Sequence, residues 1–189
     1  MTDRTDTPST ALRLILNELD AVLSTVDATE IEHLASLVDE AERVFVHGAG
    51  RSGLALRMTA MRFMHLGLKV HMVGEVTTPA IGPRDVLLVA SGSGTTAGIV
   101  AAATTADSVG ARIAAITTAR ASALASLADA VVVVTAAAKL DRSGSASEQY
   151  AGSLFEQSVA LIGDAVFHAL WKRSEQTADD LWPRHANIE

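Results

Sequence analysis

Apolar residues recur along this chain in two rhythms, and the change from one to the other predicts its architecture. Leu12, Ile15, Leu16, Leu19, Val22 and Leu23 are spaced as one face of a helix, and Ile31, Leu34, Ala35, Leu37 and Val38 repeat that spacing in a second helix ending near Arg43. Residues ahead of Ser9 are polar and are expected to fray. Five short runs follow that are apolar almost throughout, at residues 44–47, 69–73, 86–90, 112–117 and 130–134. Strands read this way when a parallel sheet is covered on both faces. Between them lie stretches of helical length at 51–66, 95–110 and 121–128. Right-handed crossovers then predict an α/β fold, a three-layer αβα sandwich around a five-stranded parallel sheet with extra N-terminal helices. Beyond Val134 the pattern predicts a loop over 135–145. A long helix over 147–171 follows, with a buried stripe of Leu154, Leu161, Ile162, Ala165, Phe167 and Leu170.

Composition narrows what such a sandwich can do. At 189 residues the chain suits one domain, read as N-terminal helices over 1–43, an α/β core over 44–173 and a tail over 174–189. The formal charge is −7 and no run of Lys or Arg occurs, which argues against a nucleic-acid partner. Without cysteine there is no disulfide, thiolate nucleophile or thiolate zinc site, and a reducing cytoplasm is compatible. The start, Met1 to Asp6, lacks the pattern of a signal peptide. Residues 130–138 form an apolar run too short to span a bilayer, so no membrane is expected.

Two strand-to-helix loops carry the candidate chemistry. Gly48-Ala49-Gly50-Arg51-Ser52-Gly53 follows the first strand, and Ser91-Gly92-Ser93-Gly94-Thr95-Thr96 follows the third. Glycines let the backbone approach an anion, helix starts offer unpaired N–H groups, and hydroxyls add donors without charge. In the common 2-1-3-4-5 strand order both loops flank the point where the winding reverses, where ligands of open sheets bind. The first loop also matches the dinucleotide pattern G-x-G-x-x-G, with Glu75 near the place of a ribose-binding carboxylate. The second, hydroxyl-rich loop and the lack of a separate substrate domain argue for a phosphorylated metabolite instead.

Together the two loops resemble the signature of the sugar isomerase (SIS) domain family, flavodoxin-like modules that bind phosphosugars. Four further segments resemble its 6-phospho-3-hexuloisomerase branch: residues 61–67 (MRFMHLG), 73–81 (VGEVTTPAI), 147–157 (SEQYAGSLFEQ) and 184–189 (RHANIE). The resemblance implies conversion of 3-hexulose 6-phosphate into fructose 6-phosphate, a step of formaldehyde fixation by the ribulose monophosphate route. It implies general acid/base catalysis through an enediol, with no metal and no other cofactor. It maps substrate binding onto Gly50, Arg51, Ser52, Ser91, Gly92, Ser93, Thr95 and Thr96, with Thr77 and Thr78 as further pocket candidates. Thr95 stands where relatives usually carry glutamate.

The catalytic glutamate of the family maps onto Glu148. Ser145-Ala146-Ser147-Glu148 also reads as a capping box, so base and cap stay open as roles for Glu148. Among six histidines, His65 lies in a family motif and His185 in the final segment, and both are candidates for proton transfer. Of the remaining four, His33 and His168 read as surface or satisfied core residues, and His47 and His71 as structural. The tail is expected to dock at a neighbouring subunit's site, in a homotetramer or homodimer with shared sites located in the cytoplasm. A non-catalytic phosphosugar sensor and an isomerase of another phosphosugar are the alternative readings, since one fold serves many functions.

Overall fold

A computed structural model describes residues 7–137 and 147–188. Two N-terminal helices, α1 (Pro8–Leu23) and α2 (Ala28–Glu40), lead into β1 (Val44–Gly48), α3 (Gly50–Leu66) and β2 (Val70–Met72). Then follow β3 (Val86–Ala90), α4 (Ala97–Ser108), β4 (Arg112–Thr117), α5 (Ala123–Leu127) and β5 (Ala130–Val133). A long helix α6 (Ser153–Arg173), a short α7 (Ala178–Leu181) and a 3-10 turn (Trp182–Arg184) complete the order. The strands are all parallel in the order β2-β1-β3-β4-β5, with Val44 level with both Val70 and Val86. The predicted α/β sandwich and strand order are both observed.

Successive side chains of a strand point to opposite faces, and here each face has its own helices. Val44, Val46, Val86, Leu88 and Ile116 pack under α2, α3 and α6, while Phe45, Leu87, Val89, Ile113 and Ala115 pack under α4 and α5. All five positions of β3 are buried, because this strand lies at the centre of the sheet. Burying one such Val, Leu or Phe stabilises by about 1.5–3 kcal/mol. The continuous apolar runs therefore report two cores that share one sheet.

Helix termini explain the differences from expectation. Thr7 caps α1 in a reciprocal capping box with Thr10, and Pro8 occupies the first turn, so the helix begins earlier than the polar start suggested. Residues 1–6, 138–146, which include most of the expected loop, and 189 lie outside the described residues. The long helix begins at Ser153 rather than 147. Ahead of it the Ser147 hydroxyl and the Glu148 amide are taken by the Glu18 carboxylate, and Ala151 has a left-handed φ of 52° that breaks a helical path. The buried stripe of α6 also runs differently, through Leu154, Phe155, Val159, Ile162, Val166 and Leu170. Leu161 and Ala165 face outward, and Phe167 is half-buried. Apolar and small residues occur all round α6, so spacing alone did not select the face.

Candidate active site

Every helix start leaves backbone N–H groups without partners, and this chain treats them in two ways. Among the described residues, side chains cap four α-helices: Thr7 on α1, Asp27 on α2, Ser122 on α5 and Thr177 on α7. The remaining helices, α3, α4 and α6, begin at Ala49, Thr96 and Gly152 with no side-chain cap. All three of those positions line one cavity of about 200 Å³ at the carboxyl ends of β1 and β3. Three open helix ends at one cavity create a site with partial positive charge for an anion. Thr96 leaves its helix uncapped because its hydroxyl is engaged by Ser91 Oγ at 3.0 Å.

Gly50, Arg51 and Ser52 from the first loop line this cavity with Ser91, Gly92, Ser93 and Thr96 from the second. The second loop is held by its neighbours: the Gly92 carbonyl accepts from Thr117 Oγ1 at 3.1 Å and from Thr118 Oγ1 at 2.8 Å. Gly94 has φ +61°, and a Cβ there would lie 2.1 Å from Ser122 Oγ. Thr95 is outside the cavity lining, and its amide and hydroxyl both donate to Ser93 Oγ. That orients Ser93 toward acting as a donor itself. In the first loop a Cβ on Gly53 would meet the Gly48 carbonyl oxygen at 2.4 Å. Close packing of β1 on α3 therefore accounts for the G-x-G-x-x-G pattern without a dinucleotide. Glu75, the carboxylate that pattern would require, is paired with Arg57 at 2.9 Å beside a separate hollow.

Glu156 and Phe155 complete the wall. Both sit in the first turn of α6, where a carboxylate is favoured by the helix dipole. Phe155 lies against Gly92, whose added Cβ would contact the ring at 3.5 Å. The Glu156 side chain is 17% exposed and accepts from Arg51 Nε at 2.5 Å. These two are the charged groups of the described lining, and each neutralises the other. The cavity thus offers a dianion hydroxyls and helix-end N–H groups in place of a free cation. The sequence had not singled out Glu156, although it lies within the segment 147–157. Its place beside the loops depends on where α6 starts.

The remaining sequence-derived candidates lie apart. Glu148 is exposed and does not line the cavity; Ser145 and Ala146 of its proposed capping box lie outside the described residues. With α6 starting at Ser153, Glu148 cannot occupy the third helical position that a capping box requires. Thr77 and Thr78 line the hollow by β2 with Arg57, Met61 and Glu75, away from the phosphate loops. His65 is near the far end of α3, about 20 Å along the helix from Ser52 at 1.5 Å per residue.

At that far end His65 is 4% exposed, and its Nδ1 is buried without a partner. The His185 ring stacks on it at 3.9 Å, and the Trp182 ring lies 4.7 Å from His185. Arg184 Nη1 donates to the His65 carbonyl at 3.0 Å, to Gln176 Oε1 at 3.0 Å and to the Asp180 carbonyl at 3.2 Å. The tail is therefore docked on its own chain as far as His185. Burial, reinforced by the His185 and Arg62 charges, pushes the His65 pKa below the usual imidazole value.

No described helix is long and apolar enough to cross a membrane. A family model for the SIS domain matches residues 37–151. The chain is 54% identical to the 3-hexulose-6-phosphate isomerase of Mycobacterium gastri, over 94% of this chain and 89% of that protein. It is 35% identical to the 3-hexulose-6-phosphate isomerase of Bacillus subtilis, over 93% and 95%. A crystal structure from Methanococcus jannaschii, described as inferring 3-hexulose-6-phosphate isomerase function, superposes with a TM-score of 0.80 at 28% identity, covering 95% of this chain and 99% of that one. Two glycine- and hydroxyl-rich loops at the switch point of a five-stranded parallel sheet and similarity to these proteins over most of the chain agree: the chain belongs to the SIS domain family.

Proposed function

We propose that this protein is a 3-hexulose-6-phosphate isomerase, interconverting 3-hexulose 6-phosphate and fructose 6-phosphate in the ribulose monophosphate pathway. The observation that carries the phosphosugar reading is the convergence of three uncapped helix starts and four hydroxyls, those of Ser52, Ser91, Ser93 and Thr96, on one cavity. Full-length similarity to two proteins of that activity supports the substrate.

The reaction moves a carbonyl from C3 to C2. A base removes the C2 proton, a cis-enediol forms, and a proton is returned to C3. Phosphorylation of O6 prevents the 3-ketose from closing a furanose onto C6, so the forward substrate enters open-chain. In this proposal the phosphate sits among the hydroxyls and helix-end amides, which fixes the distance from that anchor to C2. The base is a carboxylate, for which Glu148 and Glu156 compete. Position on the cavity wall favours Glu156, whose carboxylate is oriented by the hydrogen bond it accepts from Arg51. Glu148 would need the neighbouring surface of a second copy to serve.

His65 and His185 are the proposed proton-transfer partners, and at about 20 Å from the same chain's loops they would act on a neighbouring subunit's substrate. That distance supports a homodimer or homotetramer with shared sites as part of the proposal. The exposed apolar stripe Leu54, Met58 and Met61 along α3, the helix that links the two regions, supports such an assembly. The proposal includes a cytoplasmic location, because a phosphorylated sugar does not cross a bilayer unaided. A coupled assay offering 3-hexulose 6-phosphate and following fructose 6-phosphate tests the activity. Turnover is expected; binding without turnover would make the protein a sensor, and turnover of a different phosphosugar alone would move the substrate.

A further inference from the structure

The loop that enters α6 is held from outside the matched domain. Glu18, on α1, accepts three hydrogen bonds from residues about 130 positions later in the chain. Its Oε2 takes the Ser147 hydroxyl at 2.7 Å and Gln149 Nε2 at 2.9 Å, and its Oε1 takes the Glu148 amide at 2.8 Å. Ser147 Oγ in turn accepts the Gln149 amide at 3.0 Å. Two turns further along, Thr25 Oγ1 and Thr135 Oγ1 are 2.9 Å apart. Helix α1 and the turn that follows it thus touch the chain both where it leaves β5 and where it returns toward α6. Burial works to raise the Glu18 pKa, but the hydrogen bonds from Glu148, Gln149 and Ser147 outweigh it and hold the carboxyl below its usual value.

We propose that Glu18 is a positioning residue, a clasp that fixes residues 147–152 and thereby sets the first turn of α6, with Phe155 and Glu156, against the phosphate loops. This rests on the isomerase reading for its effect on turnover. Other features of α1 do not account for these contacts: no α1 residue is fully buried, so the helix adds little to the core. Its polar grip falls on the segment preceding the cavity wall. A carboxylate is the suitable group, because its two oxygens accept all three donors without offering one of their own. A base misplaced by about 1 Å can lose on the order of 10²-fold in rate, so the hold on this loop has leverage on kcat.

The test is Glu18→Gln, which keeps shape but confronts the donors with an NH₂ group. Turnover of 3-hexulose 6-phosphate is expected to lose about 10- to 100-fold in kcat, with KM within a few-fold, because the phosphate hydroxyls lie on other elements. Hydrogen exchange at the Glu148 amide should accelerate while the amides of 91–96 stay as in the wild type. Full kcat despite accelerated exchange would overturn the positioning role, and unchanged exchange would overturn the clasp itself. If the variant fails to fold, Ser147→Ala, which removes one donor from the opposite side, decides by the same two readings with smaller effects. An inactive wild-type protein would sink the isomerase reading alone, and the exchange measurement would still decide whether Glu18 holds the loop.

Discussion

The two ends of α3 differ in what they leave unsatisfied. At its start the backbone amides lack a cap, and hydroxyls and two mutually neutralised charges surround a cavity. At its end Arg184 of the tail is tied to the His65 carbonyl, and the half-buried His185 ring is stacked on the buried His65, whose Nδ1 has no partner. One end offers the open amides and hydroxyls of the proposed phosphate site and the other carries two histidines, with a helix of 17 residues between them. Within one chain, phosphate recognition and imidazole chemistry are therefore separated by more than the length of a hexose phosphate. This makes the second subunit a chemical requirement of the proposed mechanism if the histidines take part.

The largest effect should come from removing the base. Glu156→Gln is expected to reduce kcat by roughly 10²–10⁴-fold with little change in KM, as for loss of a general base. Glu148→Gln made in parallel should leave kcat near wild type; steady-state kinetics on both variants decides between the two carboxylates, and the reverse result would return the role to Glu148.

Removing residues 184–189 tests whether the two ends of α3 cooperate across subunits. Turnover is expected to fall by about 10²-fold, the lower range for a lost proton-transfer group, with the circular dichroism spectrum preserved. Mixing this truncated chain with Glu156→Gln under subunit exchange should restore part of the activity, since some mixed oligomers would regain one complete site. No recovery after verified exchange would confine each tail to its own chain.

At the cavity end Ser93→Ala should mainly weaken binding. A hydrogen bond to a charged group contributes about 1.5–3 kcal/mol, so KM should rise roughly 10- to 150-fold while kcat changes less. An unchanged KM would take Ser93 out of the phosphate site.

The smallest effect concerns pH at the histidine end. A buried His65 with a depressed pKa contributes stability that is present above the unfolded value of 6.5 and is lost as pH falls through the folded pKa. Melting temperature should therefore fall between pH 7.5 and pH 5 more in the wild type than in His65→Asn. Parallel curves for the two proteins would mean that His65 does not titrate on unfolding.

Much of the fold could be read from the chain because its signals are local. Continuous apolar runs marked the five strands, and β3, buried on both faces, is the clearest example. The hydroxyl and glycine loops were equally plain, since a phosphate site made from helix starts needs Ser, Thr and Gly at contiguous positions. Glu156 was hidden for a different reason. Its placement depends on α6 beginning at Ser153, and that start depends on Ala151 in a left-handed conformation and on Glu18, far away in sequence. The face of α6 was likewise undecided by its composition until α3 and the sheet covered Phe155, Val159 and Ile162 and left Leu161 outside.

By itself, then, the sequence determined the class of fold, the strand order to expect, and the two loops that line the cavity proposed for the phosphate. Hydrophobic period and turn chemistry act over a few neighbouring residues, and a single chain reads them out. The tertiary structure alone decided which carboxylate faces the cavity, that Glu75 is occupied by Arg57, and that His65 and His185 meet at the opposite end of α3. Those outcomes depend on side chains from distant segments competing for the same partners. Such competition is resolved only when the sheet and its two helical layers are packed together.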